Sequence, residues 1–437
     1  MIDTENIVNL ALRKGVDEVV VSYIESDTKQ VRFSNNRIDA ELNYLKKNIY
    51  IFLAKNKKVL FSEINREKDI SSTLDKLLLI LEKMPINQDF NGINPKKQVY
   101  GEHLYDGNLE NIGDLSFYAK IAIDSAMERG VKRVSGTIYH TTNDIILSTN
   151  YNTAIDKHIF MNYSVRAFNE YGYAGQAAYH TADHRDLSNR GPESIAEDAA
   201  DFAMLVGKAA EGKDGKFDVL FHPLCFGSLI TYSISMANAW IASTGMSIFA
   251  DRLNKKVGSE KFTLMDDPTY QGGAGFRLFD DEATSTKKTT VIENGVLKSY
   301  LHNYSTAKKY GTETTGNAGL VIPRAFQPVM KNGNKSFADI LSDMKKGLFI
   351  INTWYTRFQD SRNGDFSTIP RDGIFYIENG EIVEGWSGIR ISDNMLRIFS
   401  NIEEVSAETE KVSWWDEVMP SVIPYVLVRD VNITKSR

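Results

Sequence analysis

The sequence predicts an α+β protein in which helices pack against antiparallel sheets. Ile-Glu-Asn-Gly occurs twice, ending at Asn294-Gly295 and at Asn379-Gly380, each time between β-branched and aromatic residues. Asn-Gly accepts the positive φ angles of a two-residue turn, so both pairs predict hairpin tips. In the first half, helix patterns alternate with strand patterns. We therefore expect an N-terminal α/β-meander domain over residues 1–210 and a C-terminal domain of mainly antiparallel sheet with a buried helix over residues 217–437.

The elements of the first half have recognisable starts and stops. The segment "DTENIVNLALRKG" begins with an Asp or Thr cap and ends at Gly15, which predicts a short helix. "DEVVVSYIESD" and "KKNIYIFLAKNKKVLFSEI" read as strands around polar turns. A later helix has Pro192 near its start and Gly212 as its expected end. The polar segment 211–216, "EGKDGK", is the expected domain boundary.

Residues 219–250 contain no Asp, Glu, Lys or Arg. Length alone would allow a membrane span, but Pro223, Gly227, Asn238 and many Ser and Thr residues favour a helix buried in a core or a subunit interface. We predict one helix from Leu224 to Ser243, whose apolar positions at helical spacing are Phe226, Ile230, Ile234, Ala237 and Ile241. A smaller polar stripe consists of Ser228, Thr231, Ser235 and Asn238. It either packs against a neighbouring helix or sheet or lines a cleft or partner surface.

Composition is that of an ordinary globular chain, with 42% hydrophobic and 25% charged residues. The net charge of −6 argues against a nucleic-acid-binding surface as the main function. Cys225 is the single cysteine, so no intramolecular disulfide forms, which fits a reducing cytoplasm. Its expected role is that of a small buried apolar residue. The N-terminus has early acidic residues and no continuous apolar core, unlike a signal peptide.

Several polar groups are candidates for chemistry. His180 and His184 are four residues apart, beside Asp183, and on a helix they would share a metal; the surrounding segment has loop character instead. The carboxylates of Asp266-Asp267 and of residues 280–282 suit acid/base work or a hard cation, but such pairs more commonly begin turns and cap helices.

The glycine-rich turn "TTGNAG" is a candidate peptide-binding segment. Gly316, Asn317 and Gly319 would let the backbone approach a bound peptide, or they form an ordinary loop. The glycine spacing of a phosphate-binding loop is absent, and so is a Gly-x-Ser-x-Gly nucleophile elbow.

A set of segments in fixed order resembles the TldD/PmbA family, once called modulators of DNA gyrase. They are "FDVLFHPLCFGSLI", "DDP" at 266–268, "LFDDEATSTKKTTVIENGVLKSYLHNYSTAKKYGTETTGNAG", "KKGLFI", "NGDFS" and "YIENGEI", preceded by "YGYAGQAAYHTAD". The resemblance covers most of residues 110–437 and is weaker before that. It makes the two Ile-Glu-Asn-Gly hairpins family landmarks rather than signs of a duplicated domain.

The resemblance implies two kinds of member. TldD-like members are metallopeptidases that carry His-Glu-x-x-x-His on the helix after the boundary and hold zinc with those histidines and a later cysteine. PmbA-like (TldE-like) members lack the motif and pair with the first kind. At the matching positions this chain has His222, then Pro223 in place of the glutamate and Gly227 in place of the second histidine, and the segment "VSWWDEVMPSVIPYVLVRD" has no cysteine. A catalytic zinc needs about three ligands and a nearby base, so no catalytic or metal residues are expected here and His222 is expected to be structural.

The resemblance thus implies a metal-free subunit of a cytoplasmic metallopeptidase complex acting on peptides or unfolded segments. Zinc is expected in a TldD-like partner, with self-association as a homodimer left open and with neither nucleic acid nor membrane as a partner. One alternative is an active metallopeptidase with relocated ligands, namely His180, His184 and His222. The other is a non-catalytic dimeric regulatory protein.

Overall fold

A computed structural model describes residues 2–64, 69–101 and 105–436. The first half forms a six-stranded antiparallel sheet with strand order β3-β2-β1-β4-β5-β6. Its strands are β1 (Glu18–Ser34), β2 (Arg37–Lys55), β3 (Lys58–Ile64), β4 (Arg133–Thr149), β5 (Thr153–Phe168) and β6 (Ala174–Thr181).

Helices cover one face of this sheet in two groups. The first group consists of α1 (Thr4–Arg13) and α2 (Ile70–Leu81); the second consists of α3 (Gly107–Glu110), α4 (Leu115–Glu128), α5 (Leu187–Arg190) and α6 (Pro192–Val206). A 3₁₀ turn, His184–Asp186, precedes α5. The predicted first helix is confirmed, because the Asp3 side chain caps it by accepting the Asn6 N–H.

The last helix of this half is shorter than its sequence predicts. It ends at Val206 rather than at Gly212, because Gly207 has a φ of 56° and takes the chain out of the helix. Ala210–Glu211 then form a short strand that pairs in parallel with a strand of the second sheet.

The second half forms a branched fourteen-stranded sheet, which is antiparallel except for three parallel pairings. The strands are β7 (Ala210–Glu211), β8 (Gly215–Phe221), β9 (Leu264–Asp266), β10 (Thr289–Glu293), β11 (Val296–Leu297), β12 (Pro328–Met330), β13 (Lys346–Ile350), β14 (Thr353–Asp360), β15 (Asp365–Pro370), β16 (Ile374–Glu378), β17 (Glu381–Ser387), β18 (Ile389–Asn394), β19 (Ile402–Val412) and β20 (Ser421–Lys435).

Both predicted Asn-Gly hairpins are confirmed. Asn294 and Gly295 have φ angles of 48° and 76° at the tip of β10–β11, and Asn379 and Gly380 have 52° and 79° at the tip of β16–β17. In each hairpin the flanking glutamate pairs across a two-residue turn, as the sequence predicts. The α+β class is therefore correct.

The uncharged segment is two helices rather than one. The first helix, α7 (Pro223–Ser235), is followed by α8 (Ala239–Ser243), and Asn238 separates them by capping α8 through its side-chain oxygen to the Trp240 and Ile241 N–H groups. An Asn side chain can bind backbone N–H groups that would otherwise bind carbonyl groups of the preceding turn. The helix therefore breaks at Asn238, although the helical spacing of apolar residues continues beyond it. The remaining helices are α9 (Tyr304–Tyr310), α10 (Phe337–Asp343) and α11 (Met395–Ser400).

α7 is the centre of the second core. Eleven of its thirteen residues are buried, among them Phe226, Ile230 and Ile234 with no exposed surface. The same cluster includes Val219 and Phe221 from β8 and apolar residues of β19 and β20. In the described part of the chain, no helix has the length and apolar character needed to cross a membrane.

Candidate functional site

The candidate site begins where β8 runs into α7. Pro223 occupies the first helical turn, where its missing N–H costs nothing, and His222 is the N-cap residue. The His222 Nδ1 atom accepts the Leu224 N–H at 3.0 Å, so this ring nitrogen satisfies one of the free donors of the helix.

The rest of the His222 ring lies among aromatic side chains. Phe202 and Tyr425 meet it edge to face, with ring centroids 5.6 Å and 5.1 Å away. Burial lowers the pKa of His222 to about 3, and the Arg190 charge adds to this. The imidazole is therefore neutral near pH 7 and acts as a helix cap in an aromatic core.

The face of α7 at Gly227 is occupied by the C-terminal segment. A Cβ at Gly227 would lie 2.2 Å from Glu417 Oε1 and 3.0 Å from Val412 Cγ2. The space beside Gly227 is therefore filled by a carboxyl group. Ser421 Oγ donates to Glu417 Oε1 at 3.3 Å, and Oε2 is buried without a hydrogen-bond partner in the described residues. Burial raises the pKa of Glu417 well above its usual value.

The polar stripe predicted for the uncharged segment has both roles that the sequence leaves open. Ser228 and Thr231 are buried and hold the C-terminal segment: Trp414 Nε1 donates to Ser228 Oγ at 3.2 Å, and the Val418 N–H donates to Thr231 Oγ1 at 3.4 Å. Ser235 and Asn238 instead line the large cleft described below. The first two residues of the stripe therefore pack against the C-terminal segment, and the last two line the cleft.

Cys225 is buried on the same helix. Its thiol lies 3.7 Å from Thr353 Oγ1, and burial raises its pKa. A thiol with a raised pKa is a poor nucleophile. The position has the environment of a small core residue.

His180, His184 and His222 are placed separately. His180 lies on β6, where its Nε2 is 3.1 Å from the Ser421 carbonyl and its Nδ1 accepts the Ala274 N–H at 3.1 Å, so both ring nitrogens are used by backbone. His184 is in the 3₁₀ turn, with Nδ1 2.6 Å from Asp106 Oδ2. Among the described residues, one set of three or more potential metal-binding side chains has its ligand atoms within 4.8 Å of each other: Asp106, Asp183 and His184.

The side chains of this set already bind other groups of the protein. Arg185 forms a bidentate pair with Asp183, with Nε 2.9 Å from Oδ1 and Nη2 2.5 Å from Oδ2. Asp106 also accepts the His184 N–H at 2.7 Å. Neither His180 nor His222 belongs to the set, so the structure does not unite the three histidines of the relocated-ligand alternative.

A cleft of about 970 Å³ separates the two halves of the molecule. One wall is a face of the six-stranded sheet, from which Ser22, Ile24, Asn48 and Tyr50 project. The opposite wall is made of loops 274–277, 319–326 and 418–420 and of the end of α7. Its size and mixed polar and apolar lining suit an extended organic ligand.

The glycine-rich turn contributes to this cleft in part. Gly319 lines it, whereas Asn317 lies behind the wall and donates to Asp266 Oδ2 and to the Arg324 carbonyl. Gly316 has a φ of 74° and its Cα faces the Ser285 carbonyl, where a Cβ would lie 2.7 Å away. Of the three predicted contact residues, only Gly319 lines the cleft.

The paired carboxylates shape the same wall. Asp266 Oδ1 accepts the Phe326 and Gln327 N–H groups at 2.9 Å and 2.8 Å, and Asp280 accepts the Glu282, Thr284 and Ala318 N–H groups, each at 2.9 Å. Both are fully buried. They fix loop backbone, which is the commoner of the two roles that the sequence suggests.

Three residues of the site have no sequence motif that singles them out. Glu417 fills the space beside Gly227, and Arg277 and Arg324 meet in the cleft at Asp281. The sequence signal related to Glu417 is Gly227 in the middle of a helix. Such a glycine indicates that another group packs closely there, but it does not identify that group.

Solved structures share this architecture. A Thermotoga maritima protein described as a modulator of a DNA gyrase superimposes with a TM-score of 0.85 at 26% identity, covering 98% of this chain and 99% of that one. TldE from Thermococcus kodakarensis gives a TM-score of 0.84 at 18% identity, with 98% and 99% coverage, and shows the same fold. The fold is therefore that of the proteins described as modulators of DNA gyrase and as TldE.

Sequence comparison gives the family. Residues 214–435 match the PmbA/TldA metallopeptidase C-terminal domain. A metalloprotease from Methanocaldococcus jannaschii is 34% identical over 231 residues, which are 50% of this chain and 49% of that protein. In that alignment the chain spans about half the length of the curated relative it matches. The chain belongs to the PmbA/TldD family, as its ordered sequence segments predict.

Proposed function

We propose that this chain is a metal-free, PmbA-like (TldE-like) subunit of a cytoplasmic metallopeptidase complex. In the complex, a TldD-like partner holds zinc and cleaves peptides or unfolded segments, and this chain shapes the cleft that positions them. The observation that carries the proposal is the space beside Gly227. It holds the Glu417 carboxyl, and a side chain large enough to bind a metal does not fit there without moving it.

The chemistry of the neighbouring groups supports the same proposal. A zinc-bound water needs about three protein ligands and a base. His222 uses Nδ1 as a helix cap, Pro223 has no carboxylate, and burial raises the pKa of Glu417 well above its usual value. Metal activation of water therefore belongs to the partner in this proposal.

Metal analysis tests the proposal. The purified full chain should contain no stoichiometric zinc after dialysis against zinc and removal of the excess, and it should be inactive on an unfolded casein substrate. Addition of a TldD-like partner should produce peptidase activity, and addition of a partner whose two motif histidines are replaced by Ala should not.

A variant of this chain sharpens the test. His222→Asn keeps a good N-cap residue and removes the imidazole, so the mixture should keep both its zinc content and its activity. One tightly bound zinc per isolated chain, lost in His222→Asn, would contradict the proposal. Activity of the mixture that is independent of the partner's histidines would also contradict it.

A further inference from the structure

The cleft has an excess of positive charge on an otherwise acidic chain. Its charged lining residues in the described part of the chain are Lys46, Arg277, Arg324 and Asp281, whereas the net charge of the whole chain is −6. A concave surface of one sign concentrates ligands of the opposite sign. The feature therefore points to an anionic group on the ligand.

Two arginines share one carboxylate in the wall of this cleft. Arg277 Nη2 lies 3.1 Å from Asp281 Oδ1, and Arg324 Nη2 lies 3.2 Å and 3.0 Å from Oδ1 and Oδ2. A guanidinium group has five N–H donors and cannot be neutralised by deprotonation in a protein. The Asp280 and Asp156 carboxylates also act on the buried Arg277. Arg324 contacts Asp281 through Nη2, and the other N–H donors of this half-exposed guanidinium group are available to a ligand.

An aromatic ring fixes the two guanidinium groups. Their central carbons lie 4.9 Å and 5.2 Å from the centroid of Phe326, within the range of cation–π contact. The side chain of Arg277 is mostly buried, with 19% of its surface exposed, whereas that of Arg324 is 49% exposed. Arg277 is thus the fixed member of the pair and Arg324 the member that a ligand reaches.

We propose that Arg277 and Arg324 form an anion subsite in the cleft, which binds a carboxylate of an extended peptide. Asp281 already shows that one carboxylate contacts Nη2 of both guanidinium groups, and arginine recognises carboxylates through its fixed planar set of donors. The peptide ligand rests on the proposed function above. The carboxylate comes from either the C-terminus of the peptide or an acidic side chain.

Peptide binding by the isolated full chain tests the subsite. The probes are three ten-residue peptides of Gly, Ala and Ser, each labelled at the N-terminus with an uncharged fluorophore: one with a free C-terminal carboxylate, one amidated, and one amidated with a central Glu. Fluorescence anisotropy should show about tenfold tighter binding of a carboxylate-bearing peptide than of the neutral one, the gain typical of a charge-assisted hydrogen bond. The two acidic probes distinguish terminal from side-chain recognition, and excess inorganic phosphate should compete.

Opposite responses of two variants distinguish recognition from a structural role. Arg324→Gln should remove the preference for the acidic peptide, and Arg324→Lys should keep part of it. Asp281→Asn should increase the preference, because it removes the internal competitor and leaves an oxygen that still accepts a hydrogen bond. Arg362→Gln, at an exposed turn outside the cleft, is the matched control and should change nothing.

Equal affinities for acidic and neutral peptides would overturn the subsite, and so would an absence of peptide binding. A loss of preference in both Arg324→Gln and Asp281→Asn would also overturn it, because only a structural pair responds to both changes in the same direction. Thermal unfolding of each variant shows that it is folded. The metal content of the chain is measured separately, so failure of the subsite leaves the metal-free subunit standing.

Discussion

At the residue scale, the important contact is between Gly227 and Glu417. A glycine in the interior of a helix is unfavourable by roughly 0.5–1 kcal/mol relative to alanine, so its presence in α7 needs a packing reason. The reason is the carboxyl oxygen 2.2 Å from where a Cβ would lie. The position of the Glu417 side chain therefore requires a residue without a Cβ at position 227.

We therefore expect Gly227→Ala to destabilise the protein by about 1–3 kcal/mol, because the methyl group forces Glu417 or Val412 to move. Urea unfolding measures the loss. Gly107→Ala is the control: this glycine is also helical, nothing lies within 4 Å of its Cβ position, and the change should be neutral or slightly stabilising. Gly227→Ala with Glu417→Ala should lose less than the sum of the two single variants.

Buried histidines make stability depend on pH. The pKa of His222 is about 3 in the folded protein and near 6.5 when unfolded, so the unfolded chain binds more protons between these values. The stability from the neutral ring is complete above pH 6.5 and decreases as pH falls toward 3. At pH 5 the expected loss from this group is about 2 kcal/mol.

His222→Asn tests this effect because it keeps a capping side chain without a titrating ring. The difference in free energy of unfolding between pH 7 and pH 5 should be about 2 kcal/mol smaller in this variant than in the wild type. Urea titrations at both values measure it. The same pH dependence in both proteins would mean that folding does not lower the pKa of His222.

At the scale of elements, the break between α7 and α8 depends on one side chain. Asn238 caps α8 with its oxygen, and its nitrogen donates to the Pro323 carbonyl in the loop that lines the cleft. Asn238 thus connects the end of α7 to the loop of residues 319–326 in the same wall of the cleft.

Asn238→Ala should accordingly cost about 2–3 kcal/mol, the sum of a lost cap and a buried carbonyl left without its donor. Ser336→Ala, which removes an exposed cap of α10, is the matched control and should cost about 1 kcal/mol. Urea unfolding compares them. Equal losses would show that the bond to Pro323 contributes nothing.

At the scale of the whole molecule, ionic contacts join the first half to the last strands. Arg190, at the end of α5, lies 2.7 Å from Asp198 Oδ2 on α6 and 3.1 Å from Glu410 Oε2 on β19. Burial raises the pKa of Glu410, and the Arg190 charge opposes that rise. The three residues connect the helical layer of the first half with the second sheet.

Arg190→Met should destabilise the protein by about 3 kcal/mol, because it leaves partly buried carboxylates without a cation. Differential scanning calorimetry measures the loss. Arg129→Met, which breaks exposed pairs with Glu197 and Asp201, should have a much smaller effect. Similar losses in the two variants would remove Arg190 as a connection between the halves.

The sequence by itself determined the local features of the fold, which depend on residues that are adjacent in the chain. The Asn-Gly turns and the start of the first helix at an Asp or Thr cap are local, because turn geometry and capping depend on a few adjacent residues. It also determined the family, through segments in fixed order. The end of α6 and the break at Asn238 were missed, because several residues in each stretch are compatible with a continued helix.

Only the tertiary structure decided which distant groups meet. Glu417 beside Gly227, the separation of His180 from His222, and the Arg277–Asp281–Arg324 cluster all join segments that lie far apart in sequence or on different loops. Such contacts follow from how sheets and helices pack, which no local pattern encodes. For the same reason the sequence predicts a loss of metal ligands at Pro223 and Gly227, and the structure adds that the Glu417 carboxyl lies beside Gly227.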